Sequence, residues 1–119
     1  MDWILSGDAP IYTQLVEQIK QAVVSGVFAP GERLPAVRDL AAEAGVNPNT
    51  MQRALAELER EGLVFSLRTT GRYVTEDHAL IRQAREEIAQ EAIREFFAAM
   101  TRLGYDRSET LQLLQQEGE

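Results

Sequence analysis

Three residues, Gly45-Val46-Asn47, separate two apolar-patterned segments and constrain this chain more than any other feature. Glycine suits the left-handed cap that ends a helix. Asparagine followed by proline suits the start of one: the Asn47 side chain can accept a backbone N–H, and Pro48 has none to leave unsatisfied. Ahead of the break, Val37, Leu40, Ala41 and Ala44 predict a helix beginning after Pro35. Behind it, Met51, Ala54, Leu55 and Leu58 predict another that runs to about Glu61, with Gly62 as its cap. Both segments are too short to stand alone, and so short a turn makes them a helix-turn-helix.

The flanks extend that unit. A first helix is expected from Pro10 to about Ser25, with Ile11, Leu15, Ile19, Ala22 and Val23 on one face and Gly26 at its end. Phe28 to Gly31 reads as a turn, and Glu32-Arg33-Leu34 as a short isolated strand. After Gly62, Leu63 to Leu67 and Arg72 to Thr75 read as strands joined by a turn at Arg68 to Gly71. A helix-turn-helix followed at once by a hairpin is a winged helix.

From about Glu76 the strand signals stop. A helix is expected to run to about Leu103, nearly 40 Å at ~1.5 Å per residue. Ile81, Ala84, Ile88, Ala92, Phe96 and Ala99 form its stripe, widened by Ile93, Phe97 and Met100. Gly104 ends it. Asp106 with Glu109 predicts a capping box for a closing helix, with Tyr105 placed for a hydrophobic staple and Leu111, Leu113 and Leu114 on one side. The expected fold class is α+β, mostly α: a winged helix-turn-helix at 1–76, then a two-helix dimerisation region at 77–119.

Composition removes whole classes of chemistry. The 119 residues include no Cys and one His, so disulfides, thiolate or histidine metal clusters and thiol nucleophiles are excluded. No apolar run approaches the roughly 20 residues of a membrane helix, and the N-terminus has no signal-peptide pattern. A cytoplasmic protein without cofactor or metal is expected. Glu86, Glu87, Glu91 and Glu95 read as a solvated helix face, partly paired with Arg82, Arg85 and Arg94, rather than a catalytic cluster. His78 reads as a cap or exposed residue. Trp3 and Tyr12 are expected to pack against the first helix or a partner chain.

The segment Pro30 to Ala41 resembles the N-terminal winged helix of GntR-type bacterial transcription regulators. So do Gly45-Val46-Asn47-Pro48-Asn49-Thr50, Ala54 to Leu63, and Gly71-Arg72-Tyr73-Val74. The order and spacing match over about two thirds of the chain. The Asn-Pro-Asn-Thr helix start and the short two-helix tail look like the YtrA-like subfamily. Two positions depart from the pattern. Ala36 stands where the family often has Ser, and Thr69 where the wing usually has its first glycine, which implies a wing that is stiffer or less deeply inserted.

The resemblance implies a DNA-binding regulator, most often a repressor, and by subfamily a transporter-linked regulon. In a helix-turn-helix the start of the second helix reads bases in the major groove. Here that is Asn49, Thr50, Gln52 and Arg53, whose chemistry suits adenine, guanine, a thymine methyl or a phosphate. The alternative is a solvated polar face. The same helix start is expected to offer free N–H groups to a phosphate. Arg38 is placed by resemblance on a backbone phosphate; a pair with Asp39 or Glu43 is its alternative. Arg33 is a second candidate of that kind. In the wing, Arg68, Thr70, Gly71 and Arg72 are candidates, with no acid between Gly62 and Thr75; exposed hairpin arginines are the alternative.

Ile81, Ile88, Phe96, Phe97 and Met100 of the long helix exceed what a short closing helix can cover, so a homodimer on a palindromic operator is expected, with Leu111 and Leu114 of the closing helix also at its interface. Packing on the chain's own winged helix is the alternative. The partners are therefore duplex operator DNA and a second copy, no membrane, with a small-molecule effector left open. A winged-helix protein-interaction module is the competing function; an enzyme is the remote one. The net charge of -7 does not exclude DNA. Residues 28–75 hold six Arg against six acids, so the winged core is neutral and the excess acid lies outside it.

Overall fold

A computed structural model describes residues 1–118. Seven elements follow in order: α1 (Ile11–Val24), α2 (Val37–Ala44), α3 (Pro48–Arg60), β1 (Val64–Leu67), β2 (Gly71–Val74), α4 (His78–Arg102) and α5 (Arg107–Glu117). They fall into two compact units, Met1–Arg85 and Glu86–Glu119, with α4 running through the boundary.

The first unit is a winged helix. Gly45 takes φ 73° and ends α2, and the Val46 N–H reaches back to the Ala41 carbonyl at 3.0 Å. Asn47 then caps α3 through its side chain, with Pro48 in the first turn. Leu15 and Ile19 of α1, Leu40 and Ala41 of α2, and Met51, Ala54, Leu55 and Leu58 of α3 are almost fully buried together. That is the single core the three apolar faces predict. A salt bridge from Lys20 to Glu61 at 2.6 Å ties the later part of α1 to the end of α3.

The wing is a two-stranded antiparallel hairpin with Val64 opposite Val74 and Leu67 opposite Gly71. Both valines are buried, which anchors the hairpin base to the core. Phe65 and Tyr73 stack across it with ring centroids 5.7 Å apart. The short segment at 32–34 lies along β2: Leu34 N–H donates to the Arg72 carbonyl and Val74 N–H to the Glu32 carbonyl, each at 2.9 Å. The expected isolated strand is therefore a single bridge, Arg33 to Tyr73.

Asp77, not His78, caps α4, its carboxylate accepting from the Leu80 N–H at 3.1 Å. His78 is the exposed first helical residue. Ile81 is buried within the first unit, beside Val23 and Val24. Of the tail stripe, this residue follows the alternative reading: it packs on its own winged helix.

The second unit is built differently. Asp106 and Glu109 form the expected capping box at the start of α5. Thr110 occupies the position where a staple from Tyr105 would need an apolar partner; its hydroxyl instead donates to the Asp106 carbonyl at 2.8 Å. Phe96 and Phe97 meet edge to face, and the Arg107 guanidinium lies 4.9 Å from the Phe97 ring. Arg94 pairs with Glu91 at 2.5 Å, whereas Arg82 and Arg85 take no ion pair among the described residues. Ile93, Phe96, Leu103, Leu111 and Leu114 remain exposed.

Candidate nucleic-acid interface

The exposed surface of α3 follows from its buried one. With Met51, Ala54, Leu55 and Leu58 turned inward, the 3.6-residue period leaves Asn49, Gln52 and Arg53 outward, and Thr50 half-exposed. None of the exposed large apolar residues lies on α3.

Two hollows flank this half-helix. One of about 510 Å³ joins Gln52 to Arg33, Arg68, Thr70, Gly71 and Arg72 and to the start of α2. The other, about 370 Å³, joins Asn49, Thr50 and Arg53 to Pro10, Ile11 and Tyr12. The structure thus brings all the predicted polar residues except Arg38 to the walls of two adjoining hollows.

Their states differ. Arg38 is exposed and takes neither Asp39 nor Glu43 as a partner. Glu43 instead accepts from the Trp3 indole N–H at 3.2 Å and from the chain's terminal ammonium at 3.0 Å. Those two hydrogen bonds hold its carboxyl below the usual carboxylate range. Arg68 is exposed at the wing tip and also unpaired.

Arg72 is not free. Its Nε donates to Glu59 Oε1 at 2.7 Å, and the Ser66 hydroxyl donates to the same oxygen. These donors lower the Glu59 pKa, the serine most, against a desolvation that raises it. The wing carries no acid of its own, but α3 supplies one. Arg72 consequently braces the hairpin against α3. Sequence reasoning missed Glu59, although its spacing offers a signal: it lies seven residues, two turns, after Gln52, on the face that meets the wing.

Gly71 has a structural reason to be glycine. Its φ is 121°, and a Cβ there would stand 3.0 Å from Arg33 Nε. The Arg33 side chain lies across this open backbone.

The start of α3 does not offer the free N–H groups expected of it. Pro48 has none, Asn49 N–H is held by Asn47 Oδ1 at 2.7 Å, and Thr50 N–H by the Asn47 carbonyl at 3.0 Å. A good cap consumes the donors a phosphate would use. At α2 the reverse holds. Ala36 makes no side-chain cap, so the first amides of that helix stay unpartnered beside Arg38.

Arg53 lies over the Tyr12 ring, its guanidinium carbon 3.6 Å from the centroid. Tyr12 was expected only to pack. A signal for more was present: it sits three residues before Leu15 and seven before Ile19, at the rim of the face that α1 buries against α3.

A recognition helix with a polar outer face, a supporting helix and a braced wing define a winged helix-turn-helix DNA-binding domain. Residues 11–74 match the family described as "Bacterial regulatory proteins, gntR family". The chain belongs to the GntR family and is a DNA-binding transcriptional regulator. A curated relative, the "Uncharacterized HTH-type transcriptional regulator YhcF" of Bacillus subtilis, is 34% identical over 94% of this chain and 93% of its own length. The "HTH-type transcriptional repressor YtrA" of the same organism is 46% identical, but over 57% of this chain and 52% of its own length. The expected YtrA-type kinship is found, and the chain spans about half of that repressor. Among solved structures, the "GntR family transcriptional regulator from Listeria monocytogenes" has a TM-score of 0.86 at 36% identity, covering 94% of this chain and 98% of the other.

Proposed function

We propose that this protein is a homodimeric repressor that binds a palindromic operator, with residues 1–76 on DNA and 77–119 joining the protomers. The observation that carries the DNA geometry is the polar outer face of α3, set between two hollows, one lined by Arg33, Arg68 and Arg72 and the other by Arg53 with Tyr12. In this reading Asn49, Gln52 and Arg53 read base edges, and Thr50 touches a thymine methyl or phosphate. Arg38, the uncapped start of α2, Arg33 and Arg68 hold phosphates, with Thr70 and Gly71 at the wing tip. Arg72 acts through the brace to Glu59.

Dimerisation is supported by the exposed Phe96, Leu111 and Leu114, with the partly covered Ile88, Phe97 and Met100 beside them. Ile81 drops out of this set because its own unit buries it. Two-fold symmetry would place half-sites about one DNA turn, ~34–36 Å, apart. The regulated genes, on the resemblance to YtrA-type regulators, are proposed to serve a transport system.

The test is selection of bound sites from random duplex DNA, then binding by variants. Arg53→Ala is expected to cost about 1–3 kcal/mol on the selected site and to relax preference at one base position. Arg38→Ala should weaken all sequences alike and lower the salt slope by about 1. Failure of selection to enrich any sequence, or equal loss for Arg53→Ala on selected and random DNA, would overturn the assignment. Sedimentation giving only 13.3 kDa species at micromolar concentration would sink the dimer.

A further inference from the structure

We infer that Tyr12 of α1 is a positioning residue for DNA readout, holding Arg53 in the pose that reads its base; this rests on the base-reading role proposed for Arg53. An exposed arginine on a helix ordinarily samples many rotamers, and ordering it on DNA costs conformational entropy. Here the guanidinium carbon stands 3.6 Å from the Tyr12 centroid. At that separation the two planes lie face to face, since an edge-on group would drive its N–H hydrogens into the ring. Stacking leaves the guanidinium donors pointing outward in their own plane, where a guanine edge can take them two at a time. The attraction and the geometry thus serve one end: the arginine is ordered while its hydrogen-bonding edge stays open.

The tyrosine can act as a fixed platform because α1 is anchored. It is half-buried, and Leu15 and Ile19, three and seven residues on, are completely buried against the core. Lys20 and Glu61 pair at 2.6 Å. Tyr12 and Lys20 are eight residues apart on α1, and their partners Arg53 and Glu61 are eight apart along α3 and its end, so α1 runs alongside α3 in the same direction and sets it at two points. The Tyr12 hydroxyl makes no hydrogen bond among the described residues, which assigns the role to the ring.

The experiment measures the full-length chain on the duplex selected above and on random duplex, by fluorescence anisotropy. It compares Tyr12→Leu, Tyr12→Phe, Arg53→Ala and the double variant Tyr12→Leu/Arg53→Ala. Tyr12→Leu is expected to weaken the selected site about three- to ten-fold, to change random DNA less, and to relax preference at the same base position as Arg53→Ala. Tyr12→Phe should restore both affinity and preference. On the Arg53→Ala background, Tyr12→Leu should have no further effect. Full additivity of the two substitutions, unchanged preference in Tyr12→Leu, or tighter binding by it would overturn the inference. If Arg53→Ala itself leaves base preference intact, the base-reading assignment fails instead. A merely destabilised Tyr12→Leu would lose selected and random DNA equally, and that result also counts against the platform.

Discussion

The winged unit and the tail spend similar sequence material in opposite ways. In residues 1–85 apolar side chains from three helices and a hairpin converge, and Leu15, Ile19, Met51, Ala54, Leu58 and Val74 have no exposure at all. In the described part of residues 86–119 the buried residue is a threonine, while Phe96 is 40% exposed and Leu103 72%. Helical periodicity is present in both. What differs is the number of faces that meet. Three amphipathic helices can enclose a core, whereas α5 and the end of α4 leave their apolar surface open. One region encloses its apolar side chains, and the other leaves Phe96, Leu103, Leu111 and Leu114 open.

The contrast can be attacked most strongly through the core. Leu55→Ala, in the middle of α3, is expected to cost about 2–5 kcal/mol and to lower the melting temperature at every protein concentration. Phe96→Ala should behave otherwise. It is expected to weaken self-association by about 2 kcal/mol or more, as a central aromatic anchor does. Its melting temperature should then converge on that of the wild type at low concentration, where both are monomeric. Equal, concentration-independent losses for the two variants would erase the distinction.

A smaller effect tests the brace between wing and α3. Glu59→Gln is expected to cost about 1 kcal/mol at pH 7, a charge-assisted hydrogen bond discounted for a side chain one third exposed. Because the folded carboxyl is held below its ordinary range, the stabilisation is fully present above about pH 4.5 and disappears as pH falls through the folded value. The difference between wild type and Glu59→Gln should therefore be flat from pH 7 to 5 and shrink in more acid solution, as followed by denaturant titration. A difference that grew on acidification would refute the pairing. The smallest change belongs to the tail surface. Arg94→Ala removes a solvent-exposed pair with Glu91 and should shift stability by no more than about 0.5 kcal/mol.

The legible parts of this fold are those governed by neighbours in the chain. Gly45, Asn47 and Pro48 place the turn between α2 and α3, and Asp106 with Glu109 places the start of α5, because a cap involves residues two or three apart. The outward set Asn49, Gln52 and Arg53 was likewise legible, since the inward residues of the same helix determine it. The free N–H groups expected at the α3 start are missing for an equally local reason. The same Asn47 that begins the helix occupies its first donor, and the uncapped helix is the one before it.

What the sequence determined by itself was therefore the identity and limits of the elements and the faces they present. Only the tertiary structure decided which of the arginines stand free. Arg38 and Arg68 do; Arg53 lies on Tyr12 from another helix, Arg72 is held by Glu59 thirteen residues away, and Arg33 crosses the bare backbone of Gly71. Helical and strand periods relate residues within one element. A guanidinium on a long, flexible stem finds its partner through space, and that partner is set by how elements pack.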